Sequence, residues 1–190
     1  MNDCRGITLI ELLVTITVVS VLVIALGFQF TAWRGGYNIE SAMKELHSDL
    51  MNARAMAMQR SRVQFVTLST TQYSLYDDTN PAPDGNGTLE VASDRRVVQR
   101  GFEIPYPVTW SAMAPPAIAF TQKGLARDVQ ADMRVSETST EKTICANPVE
   151  TSLNADNDCI IVAATRINLG KLTTKISDGG ACDAANCVAR

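Results

Sequence analysis

Hydrophobicity along this chain changes its period twice. From Leu12 to Ala32 no residue carries a charge. As a helix at ~1.5 Å per residue that run reaches roughly 32 Å, against about 30 Å for a bilayer's hydrocarbon core. After Arg34-Gly35-Gly36 the apolar positions narrow to one stripe. Ile39, Met43, Leu46, Leu50, Ala53 and Ala57 recur at three- and four-residue steps, the spacing of a single helix face. From Arg62 the step falls to two. Val63, Phe65 and Thr67 alternate with Gln64, Val66 and Leu68, and Thr71-Gln72-Tyr73-Ser74-Leu75-Tyr76 repeats the style, as strands do.

The first two patterns predict one long helix over residues 7–60. Glu40 and Lys44, four apart on its polar side, add a mild stabilising pair. Gly35 and Gly36 weaken it locally, by roughly 1 kcal/mol each relative to Ala. The amphipathic half must bury its stripe against whatever follows. There, Ser69-Thr70 reads as a hairpin turn and 77–87, rich in Asp, Asn, Pro and Gly, as a loop. Further short strands are predicted at 97–99, 117–120, 129–135 and 160–166, with a last hairpin near Ile176. Short strands separated by turn signals indicate an antiparallel β domain, so the fold class is α+β. No internal repeat is visible.

The uncharged run is a membrane-spanning segment at about 12–32. A secretory signal has an apolar region of only ~7–15 residues ending in a small-residue cleavage site. This run is longer and continues into Gly27-Phe28-Gln29-Phe30. A lipoprotein signal fails because Cys4 precedes the run. Glu11 is the odd residue, since a carboxylate in a membrane-entering helix costs a few kcal/mol and usually has a partner. Solvation at headgroup level is one account of it. The other needs a cation at the same depth. A cut after Gly6 would create one, the α-amine of Ile7, which a neighbouring copy shifted along the axis would bring to Glu11.

The stretch Arg5-Gly6-Ile7-Thr8-Leu9-Ile10-Glu11-Leu12-Leu13-Val14 resembles the class III signal of type IV pilins and type II secretion pseudopilins. That resemblance implies a leader of residues 1–6, cleavage by prepilin peptidase between Gly6 and Ile7, N-methylation of Ile7, and Glu11 as the assembly charge. The sequence departs from the pattern at Ile7, where Phe is usual, and at Gly27-Phe28, where many pilins place a helix-bending Pro. Arg5 on the short flank keeps that side cytoplasmic, so residues 61–190 form an exported, periplasmic body. Asp49-Leu50-Met51-Asn52-Ala53-Arg54-Ala55-Met56-Ala57 followed by Arg60, Arg62 and Val63, and later Ala119-Phe120-Thr121-Gln122-Lys123-Gly124, are similar to GspH/FimT minor pilins. This second likeness implies two antiparallel sheets packed on the C-terminal half of the helix.

Composition adds exclusions. The chain of 190 residues carries 17 Lys+Arg against 20 Asp+Glu, a net charge of −3. A wholly cationic nucleic-acid clamp is excluded by that balance. Of the five cysteines, Cys4 would leave with the leader, and the remaining Cys145, Cys159, Cys182 and Cys187 read as disulfides in an exported protein. Four cysteines allow three connectivities. Closeness in sequence favours Cys145–Cys159 and Cys182–Cys187. Neither spacing suits a zinc knuckle. Asn154, Asp156 and Asp158, like Asp84 and Asn86, alternate as calcium ligands do, yet the Gly and distal Glu of an EF-hand loop are missing, and turn chemistry accounts for both stretches.

Catalysis has no constellation to rest on. The single histidine, His47, falls on the polar side of the helix as a solvated residue. No nucleophile elbow, phosphate loop or metalloprotease helix is present, and no cofactor is implied. Some FimT-like pilins take up DNA through a Gly-Arg-x-Arg motif. Its counterpart here is Gly170-Lys171-Leu172-Thr173, which makes Lys171 the candidate DNA contact but lacks the second basic residue. Arg95, Arg96 and Arg100 form another small basic group. The expected function is therefore a structural subunit of a type IV pilus or a type II secretion pseudopilus. Its partners would be other pilins or pseudopilins through the helix and the prepilin peptidase/methyltransferase. It would sit in the inner membrane as a single-pass protein before entering a filament. A DNA-binding pilin is the alternative.

Overall fold

The structure is a computed structural model describing residues 8–83, 85–102, 106–111, 113–148 and 154–190, with side chains outside 25–33. Helix α1 (Leu9–Arg60) is 52 residues long. Thr8 caps its start, its hydroxyl oxygen accepting from Glu11 N–H at 3.3 Å. At the other end Ser61 turns left-handed, φ 53°, and returns its N–H to Ala57 O. Gly35 and Gly36 sit buried within the unbroken helix. Gly36 permits a close approach: a β-carbon on it would lie 2.3 Å from Asn154 O.

Among the described residues ten strands follow: β1 (Gln64–Leu68), β2 (Gln72–Asp77), β3 (Arg95–Gly101), β4 (Val108–Trp110), β5 (Ala117–Phe120), β6 (Ala126–Asp128), β7 (Lys142–Ala146), β8 (Cys159–Val162), β9 (Ile167–Leu172) and β10 (Cys187–Ala189). Sheet 1 runs β3-β2-β1-β5-β6 and sheet 2 runs β10-β9-β8-β7-β4, antiparallel throughout. The apolar stripe of α1 is buried along its whole length, from Ile39 to Ala57, and meets Val66, Leu75, Ile118 and Phe120 of sheet 1 and Ile144, Ile160 and Val162 of sheet 2 in one core. Strand alternation places a second set outward. Phe65, Tyr76 and Ala119 lie under the loops that carry Leu89, Val129 and Met133. On sheet 2, Cys145, Cys159, Leu172 and Cys187 form a third cluster.

Two predicted strands are corrected. Residues 129–135 form a loop, with Gln130 and Arg134 closing a turn and Met133 at φ 63°; Val129 and Val135 only bridge across it. Leu89 N–H donates to Met133 O at 2.9 Å, so this loop serves as the lid of the second cluster. The segment 160–166 ends as strand at Val162 and turns, Ala163 N–H donating to Arg166 O, before β9 begins. The last hairpin near Ile176 is the antiparallel pair β9–β10, whose long connection holds a 3₁₀ turn, Ile176–Asp178, stopped by Gly179 at φ 87°.

Candidate functional site

The first half of α1 carries surface that water does not tolerate. Every large apolar side chain between positions 9 and 24 is at least half exposed. Contiguous apolar surface of this extent marks an interaction site. Its hydroxyls are turned inward: Thr15 donates to Leu12 O, Thr17 to Val14 O and Ser20 to Ile16 O, each at 2.8 Å. Such back-bonding leaves no unsatisfied side-chain donor facing an apolar neighbour. Among the described residues no helix is long and apolar enough to cross a membrane. The side chains of positions 25–32 in the predicted span lie outside the description, as do Gly6 and Ile7 altogether.

Glu11 stands exposed in the first turn. With Thr8 it forms the Thr-x-x-Glu arrangement of a capping box, of which the Thr8 half is made. An acid at a helix N-terminus is also favoured by the helix dipole. Local chemistry thus gives Glu11 one role, and its charge leaves a second open.

The second half of the rod is clamped to the body by groups that periodicity does not reveal. Asp49 is buried, accepting from the Tyr73 hydroxyl at 2.8 Å and from Arg100 Nε at 2.9 Å. Arg100 also meets Glu45 Oε1 at 2.5 Å. Burial raises the Tyr73 phenol far above its ordinary range, and the bond to Asp49 adds to that. Asp49 and then Glu45 raise the Arg100 guanidinium in turn. On the other flank Arg54 donates to Thr165 O at 2.7 Å. His47, expected to be solvated, is half-buried with Nε2 3.3 Å from Ile167 O. The stripe is broad enough at Leu46 and Leu50 to draw its neighbour against β9. The two sheets are tied by Lys142 Nζ and Asp128 Oδ1 at 2.7 Å. Burial alone would raise the Asp128 carboxyl, but bonds from Lys142 and Thr140 outweigh it and hold it below its ordinary value.

The remaining candidates fall on sheet 2. All four body cysteines are in disulfides, but the favoured pairing is overturned: the bonds are Cys145–Cys182 and Cys159–Cys187, with α-carbons 5.9 and 6.1 Å apart. The C-terminal segment folds back over the outer face of the sheet, where β10 pairs with β9. Lys171 Nζ lies 3.4 Å from Asp156 Oδ1, and Arg190 reaches the same carboxylate at 3.7 Å. Asp158 Oδ1 accepts from Leu172 N–H at 2.6 Å, and burial raises its carboxyl despite that bond. Among the described residues no group of three or more His, Cys, Asp and Glu is arranged to hold a metal; Asp84 lies outside them. Arg100, of the small basic group, is engaged with Asp49 and Glu45.

Residues 1–27 match the family model of the prokaryotic N-terminal methylation motif. No curated protein matches the chain. Among solved structures the chain is similar to the minor pseudopilin EpsH from the Type 2 Secretion System of Vibrio cholerae. Identity is 12%, the match covers 70% of this chain and 95% of that one, and the TM-score is 0.44. The motif match agrees with the resemblance to type IV pilins and pseudopilins carried by residues 5–14.

Proposed function

We propose that this chain is a minor pilin or pseudopilin, a non-catalytic subunit of a type IV pilus or a type II secretion pseudopilus. The observation that carries this reading is the methylation motif running into a 52-residue helix whose first half leaves its apolar side chains uncovered. A rod of that kind needs lipid or other rods around it. In this account residues 12–32 hold the chain in the inner membrane as a single span, with 61–190 in the periplasm. Prepilin peptidase removes residues 1–6 after Gly6, and the new amine of Ile7 is methylated. The rod then exchanges lipid contacts for contacts with neighbouring rods.

Glu11 pairs with the amine of a neighbouring subunit and sets its axial register. Either charge alone is unfavourable in an apolar medium. Assignment to the GspH/FimT branch rests on the likeness of residues 49–63 and 119–124. The DNA-binding alternative is the weaker reading, since its candidate contact Lys171 is already engaged by Asp156.

The deciding experiment is the intact mass of the protein from a host with its peptidase, compared with Gly6→Leu. The native chain is expected to lack residues 1–6 and to carry one methyl group, with the variant heavier by the leader. A native chain that keeps Met1 to Gly6, or a mature-sized variant, would overturn the assignment.

A further inference from the structure

Cys145 and Cys159 stand directly opposite each other on β7 and β8. One pair further along, Ala146 N–H donates to Asp158 O at 2.8 Å. Pair types alternate along an antiparallel ladder, so Cys145 and Cys159 form a non-hydrogen-bonded pair. In that type the α-carbons are only about 4.5 Å apart and the side chains are closest. They are nevertheless bonded elsewhere, each to the C-terminal segment. Two disulfides therefore lie side by side in one apolar cluster. The third residue in this row, Gly170 opposite Cys159, makes the room: a β-carbon there would lie 2.8 Å from Cys187 Sγ.

The four cysteines are unequally buried. Cys145, Cys159 and Cys187 are 0%, 0% and 3% exposed, whereas Cys182 is only half-buried. An external thiolate meets Cys182 first, and access governs which sulfur is attacked. Besides the disulfides the segment is held by polar contacts, chiefly Asn186 Nδ2 donating to Thr174 O at 2.7 Å and Arg190 N–H to Leu169 O at 3.0 Å, and by little apolar burial. β10 pairs with β9 over three residues, of which only Cys187 is buried.

We propose that Cys182 is the entry point of a thiol relay, through which one dithiol reductant unties both C-terminal cysteines. A thiolate of the dithiol attacks Cys182 Sγ, forming a mixed disulfide and expelling Cys145 as thiolate. The second thiol of the reductant resolves the mixed disulfide, leaving an oxidised dithiol and a Cys182 thiol. Cys145 then attacks Cys159 Sγ across the strand pair. The Cys145–Cys159 bond forms, the Cys159–Cys187 bond breaks, and Cys187 leaves as a thiolate that takes a proton from water. This second exchange needs no further electrons, and its proximity offsets the cost of a buried thiolate. The product keeps its β7–β8 ladder cross-linked while the chain beyond Leu172 is released and β9 becomes the open edge of sheet 2.

Trypsin makes the relay readable. Cys145 and Cys159 share the peptide 143–166, and Cys182 and Cys187 share 176–190, because no Lys or Arg interrupts either. The full chain in detergent is treated with one molar equivalent of dithiothreitol, alkylated with iodoacetamide, digested and weighed. The relay is expected to yield 143–166 with an internal disulfide, detached from 176–190 carrying two carbamidomethyl groups. Peptides still joined through Cys159–Cys187, with Cys145 and Cys182 alkylated, would overturn it. So would four alkylated cysteines with no internally bonded 143–166, or no reaction at excess reductant. In Cys145→Ser the same treatment is expected to leave the two peptides joined through Cys159–Cys187. Their release from that variant to the wild-type extent would equally refute the relay.

Discussion

The Tyr73 hydroxyl donates to Asp49 Oδ2 at 2.8 Å, joining a helix residue to a strand residue inside the core. Arg100 Nε donates to the same oxygen at 2.9 Å. Asp49→Ala leaves a buried phenol without its acceptor and is expected to cost roughly 2–3 kcal/mol, allowing for the solvent that reaches Arg100. Tyr73→Phe removes one bond to a charged group and is expected to cost about 1–2 kcal/mol. Urea denaturation of the two variants would measure both, and an Asp49→Ala midpoint equal to wild type would remove the clamp from any account of stability.

Gly36→Ala inverts an ordinary expectation. Alanine in mid-helix gains up to about 1 kcal/mol over glycine, yet here the new methyl would fall 2.3 Å from the backbone oxygen of Asn154. A backbone carbonyl cannot step aside as a flexible side chain can, so a net loss of about 1–3 kcal/mol is expected. Thermal melting checks this; a raised Tm would mean that the loop at Asn154 gives way.

Two carboxylates set opposite acid responses. Asp128 is held below its ordinary value, so it contributes stability above the unfolded pKa of 3.8 that is lost as pH falls through the folded one. Asp158 is raised by burial. Its contribution is complete below 3.8 and is lost as pH rises through the folded value. Asp158→Asn keeps an acceptor for Leu172 N–H without the buried charge. The variant is therefore expected to gain on wild type between acid and neutral pH, while Asp128→Asn loses over its own window. Stability curves across pH 2–7 would show both, and parallel curves would refute the assignments.

Glu11 can be divided by substitution. Glutamine preserves what a capping box needs at the third helical position but carries no charge. If charge pairing is its task, Glu11→Gln and Glu11→Ala should both be cleaved and folded yet recovered poorly in filaments. Normal recovery of Glu11→Gln beside poor recovery of Glu11→Ala would leave the cap as the whole explanation.

The period of the apolar residues makes much of this architecture legible in advance. The stripe from Ile39 to Ala57 is buried throughout, because a helix that packs on one side must repeat at its own pitch. Period alone misreads 129–135, where Val129 and Val135 face each other across a turn and alternate only by coincidence. Long-range partners leave no local trace: Asp49 finds Tyr73 and Arg100 at separations of 24 and 51 residues. The cysteine pairing fails for the same reason, since nearness in sequence says nothing of which face the chain end returns to. Glu11 is legible because a lone charge beside a long uncharged run is conspicuous without any structure.

The inward-turned hydroxyls of Thr15, Thr17 and Ser20 have a mechanical consequence. Over residues 12–24 these three side chains grip the rod's own backbone and give another shaft no teeth to catch. Neighbours can glide along it and swivel about it at little cost, which would suit the proposed exchange of lipid for other rods. With Glu11 paired as proposed, depth would be gauged at the acid near the tip.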